Sequence, residues 1–171
     1  MKKVVKQDNL FFGGVLEPKS TQKKENKSFF WVTTRLLRES GPWYAETINS
    51  PDDVVRILRE HIDIENLDRE HLIVLYLNHK NIVNAIHTVS VGGLSSALVH
   101  PREVFKPAIL TSSAGVILAH NHPSGDPAPS PEDIRITRRL IEAGKILGIE
   151  VLDHVVIGLG RYKSLKGLGE M

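Results

Sequence analysis

His120-Asn121-His122-Pro123-Ser124-Gly125-Asp126-Pro127-Ala128-Pro129-Ser130-Pro131-Glu132-Asp133 follows directly on a run of small and apolar residues, Ala114 to Ala119. The apolar run reads as a buried strand, and the Pro/Gly-rich stretch after it as a loop. Ser130 then opens a helix, with Pro131 at its first position and Asp133 at its third. Residues two apart on a strand point to the same side, so His120 and His122 can face one point. Two imidazoles and the Asp133 carboxylate form a three-ligand set for zinc. Three protein ligands leave a fourth position for water, as catalytic rather than structural zinc requires.

The chain carries its own control for Asp133. Ser50-Pro51-Asp52-Asp53 repeats the Ser-Pro-x-Asp pattern with no histidine pair beside it. An acidic residue in a helix's first turn is explained by capping and by the helix dipole. What sets Asp133 apart is its place just downstream of His120 and His122.

Outward from this stretch, helices alternate with strands. Ser50 caps a helix through about His61, with Val54, Val55 and Leu58 as its buried face. Leu72 to Leu77 is too apolar for an exposed strand and reads as central. Asn78 to Asn81 turns the chain, and Ile82 to Val91 returns as a hairpin partner ended by Gly92-Gly93. His100-Pro101 precedes a short helix in which Val104, Phe105, Ala108 and Ile109 are expected to share a face. Pro131 to Leu147 is a longer helix with Ile136, Leu140, Ala143 and Leu147 at helical spacing. Glu150 to Ile157 reads as another strand, and Tyr162 to Leu165 as a short edge strand. Upstream, Phe29 to Arg38 is strand-like, with Trp43 to Ala45 resuming after Gly41-Pro42. The expected fold is α/β, a mixed sheet flanked by helices. Residues 1–49 form an expected N-terminal extension, partly disordered, and 50–171 the folded domain.

Composition narrows the function classes. The 171 residues include no cysteine, which removes disulfides, thiolate zinc sites and cysteine nucleophiles together. No apolar run approaches ~20 residues, so no membrane span is expected, and a cytoplasmic protein is. Residues 1–50 hold nine Lys/Arg against five Asp/Glu, or +4; residues 51–171 hold thirteen against fifteen, or −2. The body is no basic platform for nucleic acid. Any attraction to phosphate belongs to the N-terminal part. No oligomeric state can be read from the chain.

His-x-His, seven residues, Ser, two residues and Asp resembles the signature of the JAMM (MPN+) metalloprotease domain, here His120, His122, Ser130 and Asp133. The longer HNHPSGDPAPS is similar to that of the bacterial RadC proteins. His100-Pro101-Arg102-Glu103-Val104-Phe105, Asp153-His154 and Tyr162-x-Ser164 occur in the family's order, so the likeness runs from about Ser50 to Gly169. It implies the JAMM/MPN fold, related to the cytidine deaminases, and a Zn2+ ion on His120, His122 and Asp133. It implies Glu70 as the catalytic glutamate and Ser130 as a donor to the tetrahedral intermediate. It also implies cleavage of an amide or isopeptide bond in a protein or peptide substrate. The deaminase reaction is excluded, because it needs His-x-Glu and Pro-Cys-x-x-Cys. His154 reads either as a residue orienting a ligand or as a buried structural partner of Asp153. The family's other association, DNA repair or metal-dependent nucleic-acid processing, finds support only in the N-terminal lysines, since residues 1–50 show no helix-hairpin-helix pattern.

Overall fold

The computed structural model describes residues 46–92 and 99–171. Residues 1–45 of the expected extension, with its strands at Phe29–Arg38 and Trp43–Ala45, and Gly93 lie outside them, while Thr47 bridges to Ile82 and Ile48 joins the core. α1 (Pro51–Ile62) leads through a 3-10 turn (Ile64–Asn66) into β1 (His71–Leu77) and β2 (Val83–Val91). α2 (Pro101–Leu110), β3 (Gly115–Asn121), α3 (Pro131–Leu147), β4 (Glu150–Ile157), β5 (Tyr162–Ser164) and α4 (Leu165–Leu168) follow.

The five strands form one mixed sheet in the order β2-β1-β3-β4-β5. β1 is antiparallel to both β2 and β3, β3 and β4 are parallel, and β5 is antiparallel to β4. The parallel pair is joined through α3, as a parallel pair must be by a crossover. β1 and β3 are the interior strands on which nearly every side chain is buried. Each has helices over both faces, which explains why their sequences are continuous apolar runs instead of alternating ones.

Strand alternation divides the core in two. Ile73, Leu75, Leu77, Ile117 and Ala119 face α1, meeting Val54, Val55, Ile57 and Leu58. Leu72, Val74, Tyr76, Val116 and Leu118 face the other way, onto Val104, Phe105 and Ala108 of α2 and Ile136 and Leu140 of α3. Tyr76 also donates its hydroxyl to the Val104 carbonyl at 3.0 Å, fixing α2 to the sheet. Continuing the alternation along β3 puts His120 on the α2/α3 face.

Three expectations are corrected. Ile109 is 59% exposed instead of buried with Val104, Phe105 and Ala108. At roughly 100° per residue it sits at the rim of a face centred on the other three. Leu147 is 47% exposed. The chain reverses at Gly148, in the left-handed region at φ 68°, and the Ile149 N–H bonds back to the Gly144 carbonyl at 3.0 Å. Ile149, 6% exposed, thereby fills the end of the core that Leu147 overshoots. Leu165 begins α4 instead of ending β5, because the Ser164 hydroxyl accepts from the Gly167 N–H and starts a helical turn.

Candidate metal centre

β3 runs two residues further than its apolar stretch, carrying both His120 and Asn121 as strand residues. His122 is the first residue beyond it, held in line by its N–H to the Ile157 carbonyl of β4 at 2.8 Å. The two imidazoles meet: His120 Nε2 and His122 Nε2 are 2.9 Å apart. Asp133, on the first turn of α3, completes the group, with Oδ1 3.5 Å from His120 Nε2 and Oδ2 3.7 Å from His122 Nε2. His120 and Asp133 are buried, and the His122 side chain is 14% exposed, so the group opens to solvent on the His122 side. One ligand atom from each residue lies within 4.8 Å of the others.

The capping geometry of the two Ser-Pro-x-Asp motifs is nearly the same, and their surroundings are not. Asp133 Oδ2 accepts from the Ser130 N–H and hydroxyl, each at 2.7 Å; Asp53 Oδ2 accepts from the Ser50 N–H at 3.0 Å and hydroxyl at 3.2 Å. Asp53 then faces Arg56 in partly exposed surroundings, while Asp133 faces two imidazoles under cover. Burial pushes the Asp133 carboxyl up, but the His120 and His122 rings beside it and the hydrogen bonds from Ser130 outweigh that and hold the group well below the usual carboxylate range.

His122 is locked in one tautomer. Its Nδ1 lies 2.6 Å from the Asp126 carbonyl, which can only accept, so Nδ1 carries the hydrogen and the Nε2 lone pair faces Asp133 and His120. Asp126 thus acts through its backbone, and its side chain serves the turn by accepting from the Ala128 N–H at 3.3 Å. The loop is held by close backbone approach to the end of β4. The Leu159 N–H donates to the Gly125 carbonyl at 3.1 Å, and a Cβ on Gly158 would stand 2.3 Å from that same oxygen. Gly158→Ala is therefore expected to displace the loop that orients His122, at a cost of about 1–3 kcal/mol in stability. Chemical denaturation with and without zinc checks this, with the larger loss in zinc binding.

Glu70 precedes β1, fifty residues upstream of His120. The β1/β3 register brings it in. Leu72 pairs with His120 at the end of the β1/β3 ladder, so Glu70, two residues before Leu72, lies at the same end of the sheet as His122, two residues after His120. Its carboxylate raises the His122 pKa electrostatically, behind the larger effect of Asp133. Asn121 secures this placement: its Oδ1 accepts from the His71 N–H at 2.8 Å and its Nδ2 donates to the Arg69 carbonyl at 2.9 Å. The Gly92 N–H bonds to the Glu70 carbonyl at 2.8 Å from the other side. Sequence reasoning passed over Asn121, although a polar residue between two histidines on a buried strand was a signal that it had work to do.

Of the other family motifs, His100 and Asp153 serve the scaffold. His100 caps α2, its Nδ1 accepting from the Arg102 N–H at 3.2 Å. Asp153 and His154, adjacent on β4, point to opposite faces. Asp153 accepts from the Ser164 hydroxyl at 2.6 Å and the Lys166 N–H at 3.1 Å, tying β5 and α4 to β4. His154 is fully buried beside the centre, 2.8 Å from His120 Nδ1. Burial and the neighbouring His120 hold its pKa well below the ordinary histidine value.

A model of the RadC-like JAB domain matches residues 48–170 of this chain. The chain belongs to the RadC-like JAB domain family. It is 58% identical over 124 residues to the UPF0758 protein of Syntrophomonas wolfei, covering 71% of this chain and 53% of that one. Against the UPF0758 protein of Caldanaerobacter subterraneus it is 55% identical over 123 residues, covering 72% and 52%. Against that of Moorella thermoacetica it is 60% identical over 119 residues, covering 70% and 51%. The chain spans about half the length of the curated relatives it matches. The five-stranded mixed sheet with flanking helices is consistent with the JAB fold, and the buried His120 and Asp133 with the partly exposed His122 are able to hold a metal. Among the described residues no helix is long and apolar enough to cross a membrane.

The donor set of the JAB domain fits zinc by its chemistry. Nitrogen and carboxylate oxygen are zinc ligands, and three of them leave one position open. A convergence of acceptors favours a cation, and without metal the group that can supply it is a protonated His122. The Asp133 carboxylate, 3.7 Å from Nε2, raises the His122 pKa above its ordinary value, with burial opposing and the Asp126 carbonyl assisting. The stability this proton lends is complete below roughly pH 6.5 and is lost as pH rises through the raised pKa. Zinc takes only the neutral ring, so its affinity climbs across the same window. The metal-free melting temperature is expected to fall as apparent zinc affinity rises above about pH 6.5. Zinc titrations at stepped pH check this, and an affinity that stays flat there contradicts the assignment of His122.

Proposed function

We propose that this domain is a zinc-dependent hydrolase of the metallopeptidase type, cleaving an amide or isopeptide bond in a protein or peptide. The observation that supports this reading most is the convergence of the His122 Nε2 lone pair, His120 Nε2 and the Asp133 carboxylate at a partly open, otherwise buried point, with the Glu70 carboxylate near enough to act on His122 electrostatically. His120, His122 and Asp133 would hold the ion. A zinc ion there supplies a Lewis acid that lowers the pKa of water to about 7 and polarises the scissile carbonyl.

The chain's own groups do the rest. Glu70 takes a proton from the attacking water as its oxygen bonds to the carbonyl carbon. It then delivers that proton to the amine nitrogen as the carbon–nitrogen bond breaks. Ser130 donates to the developing oxyanion. Its hydroxyl has one proton, so this donation withdraws it from Asp133 Oδ2, which keeps the Ser130 N–H as a donor. Asn121 holds the Glu70 backbone in register throughout.

The test is cleavage of a peptide and isopeptide library by the zinc-loaded protein, with chelated and reloaded samples beside it. Cleavage lost on chelation and restored by zinc is the expected result. Turnover of DNA phosphodiesters with no amide cleavage would replace this reading with the nucleic-acid one. The −2 charge of residues 51–171 speaks against that outcome.

A further inference from the structure

Which nitrogen of His120 is free to bind a metal is settled at Thr137, which reaches it through His154. Thr137, one turn into α3, places its Oγ1 2.6 Å from the Asp133 carbonyl oxygen. A carbonyl only accepts, so the hydroxyl spends its single proton there. The same Oγ1 lies 2.6 Å from His154 Nδ1, and toward that atom it has only lone pairs left to offer. His154 must therefore carry its hydrogen on Nδ1 and present a bare Nε2. That Nε2 is 2.8 Å from His120 Nδ1, so His120 must be the donor in this contact. The Nε2 of His120 is left with its lone pair, aimed at His122 and Asp133.

We propose that Thr137 and His154 are positioning residues, forming a relay that fixes the metal-binding tautomer of His120. The inference rests on the metal reading above, and it assigns His154 a part that fold and family do not. His154, Thr137 and His120 are all fully buried, so no water competes to set the direction of the relay. The relay starts at the backbone of one ligand residue, Asp133, and ends on the ring of another. It passes from α3 through β4 to β3. His122 obtains the same tautomer by a different route, the Asp126 carbonyl, so both imidazoles present Nε2. Metal-binding histidines are commonly fixed by a partner on the second nitrogen, and removing such a partner weakens metal affinity by about 10–100-fold. Here the partner is a neutral histidine, which accepts only because Thr137 makes it do so.

Valine at 137 keeps the shape and removes the acceptor. The His154 hydrogen then moves to Nε2, faces His120 Nδ1, and drives the His120 hydrogen onto Nε2, where the metal has to displace it. The experiment is long-range proton–nitrogen NMR of the metal-free, histidine-labelled protein, together with zinc competition titrations. The wild type is expected to show His120 and His154 both protonated on Nδ1. Thr137→Val is expected to move the His120 proton to Nε2 and to weaken zinc binding by about 10–100-fold. Thr137→Ser is expected to restore both. A wild-type His120 protonated on Nε2 overturns the proposal, and this readout needs neither a variant nor a metal. So does a Thr137→Val protein that loses zinc while the His120 tautomer stays put, since that is a merely structural effect. Should the wild type bind no zinc, the metal reading fails, while the NMR spectrum still decides the relay.

Discussion

Asp133→Ala is expected to remove zinc binding, with a loss greater than the ~10–100-fold that outlying partners of a metal site are worth. The carboxylate is one of the three groups that could hold the ion, and no other acid is described within the cluster. The substitution also removes the acceptor that pairs with the Ser130 N–H and hydroxyl, so the helix start weakens. Asp53→Ala separates the two effects. It removes the equivalent cap from α1, where the same serine contacts recur beside Arg56. Both variants are expected to lose about 1 kcal/mol from the first-turn acid. Asp133→Ala alone is expected to lose the metal. If Asp53→Ala weakens zinc binding as much, the effect is one of general stability and the ligand assignment fails.

Glu70→Gln is expected to leave zinc content unchanged and to lower kcat by about 10²–10⁴-fold, the usual worth of a positioned general base. Glutamine keeps the size and the hydrogen-bonding reach of the side chain but cannot take the proton from water. The backbone contacts that hold this position do not involve the carboxylate. They run from Asn121 to Arg69 and His71, and from Gly92 to the Glu70 carbonyl. The variant should therefore fold and load normally, and metal analysis beside steady-state kinetics separates the two roles. A Glu70→Gln enzyme with full activity removes Glu70 from the proton transfers. One that has lost its metal assigns Glu70 to the ion instead.

What the sequence made legible follows from how local each signal is. The caps of α1 and α3 were readable because Ser-Pro-x-Asp satisfies the helix start within four residues. β1 and β3 were readable because burial on both faces leaves an unbroken apolar run. His120 and His122 were readable as a pair because strand periodicity is two. Glu70 was not, because nothing near it in the chain marks it. It gains meaning only from the β1/β3 register, in which Leu72 stands opposite His120. The relay was equally hidden, since its members lie on β3, β4 and α3 and meet only when the sheet and helix pack. Asp153-His154 was open between two readings, because only the fold shows that Asp153 accepts from the His154 N–H while the His154 ring turns to His120. Ile109 misled through a spacing that fits a helix face yet lands on its rim.

His120, His122 and Asp133 are expected to hold one metal ion together. Elemental analysis of the purified protein, beside His122→Ala and Asp133→Ala, measures this. About one zinc per chain in the wild type, lost in both variants that remain folded, is the predicted result. A folded wild type that takes up no zinc from a zinc-containing buffer would contradict it.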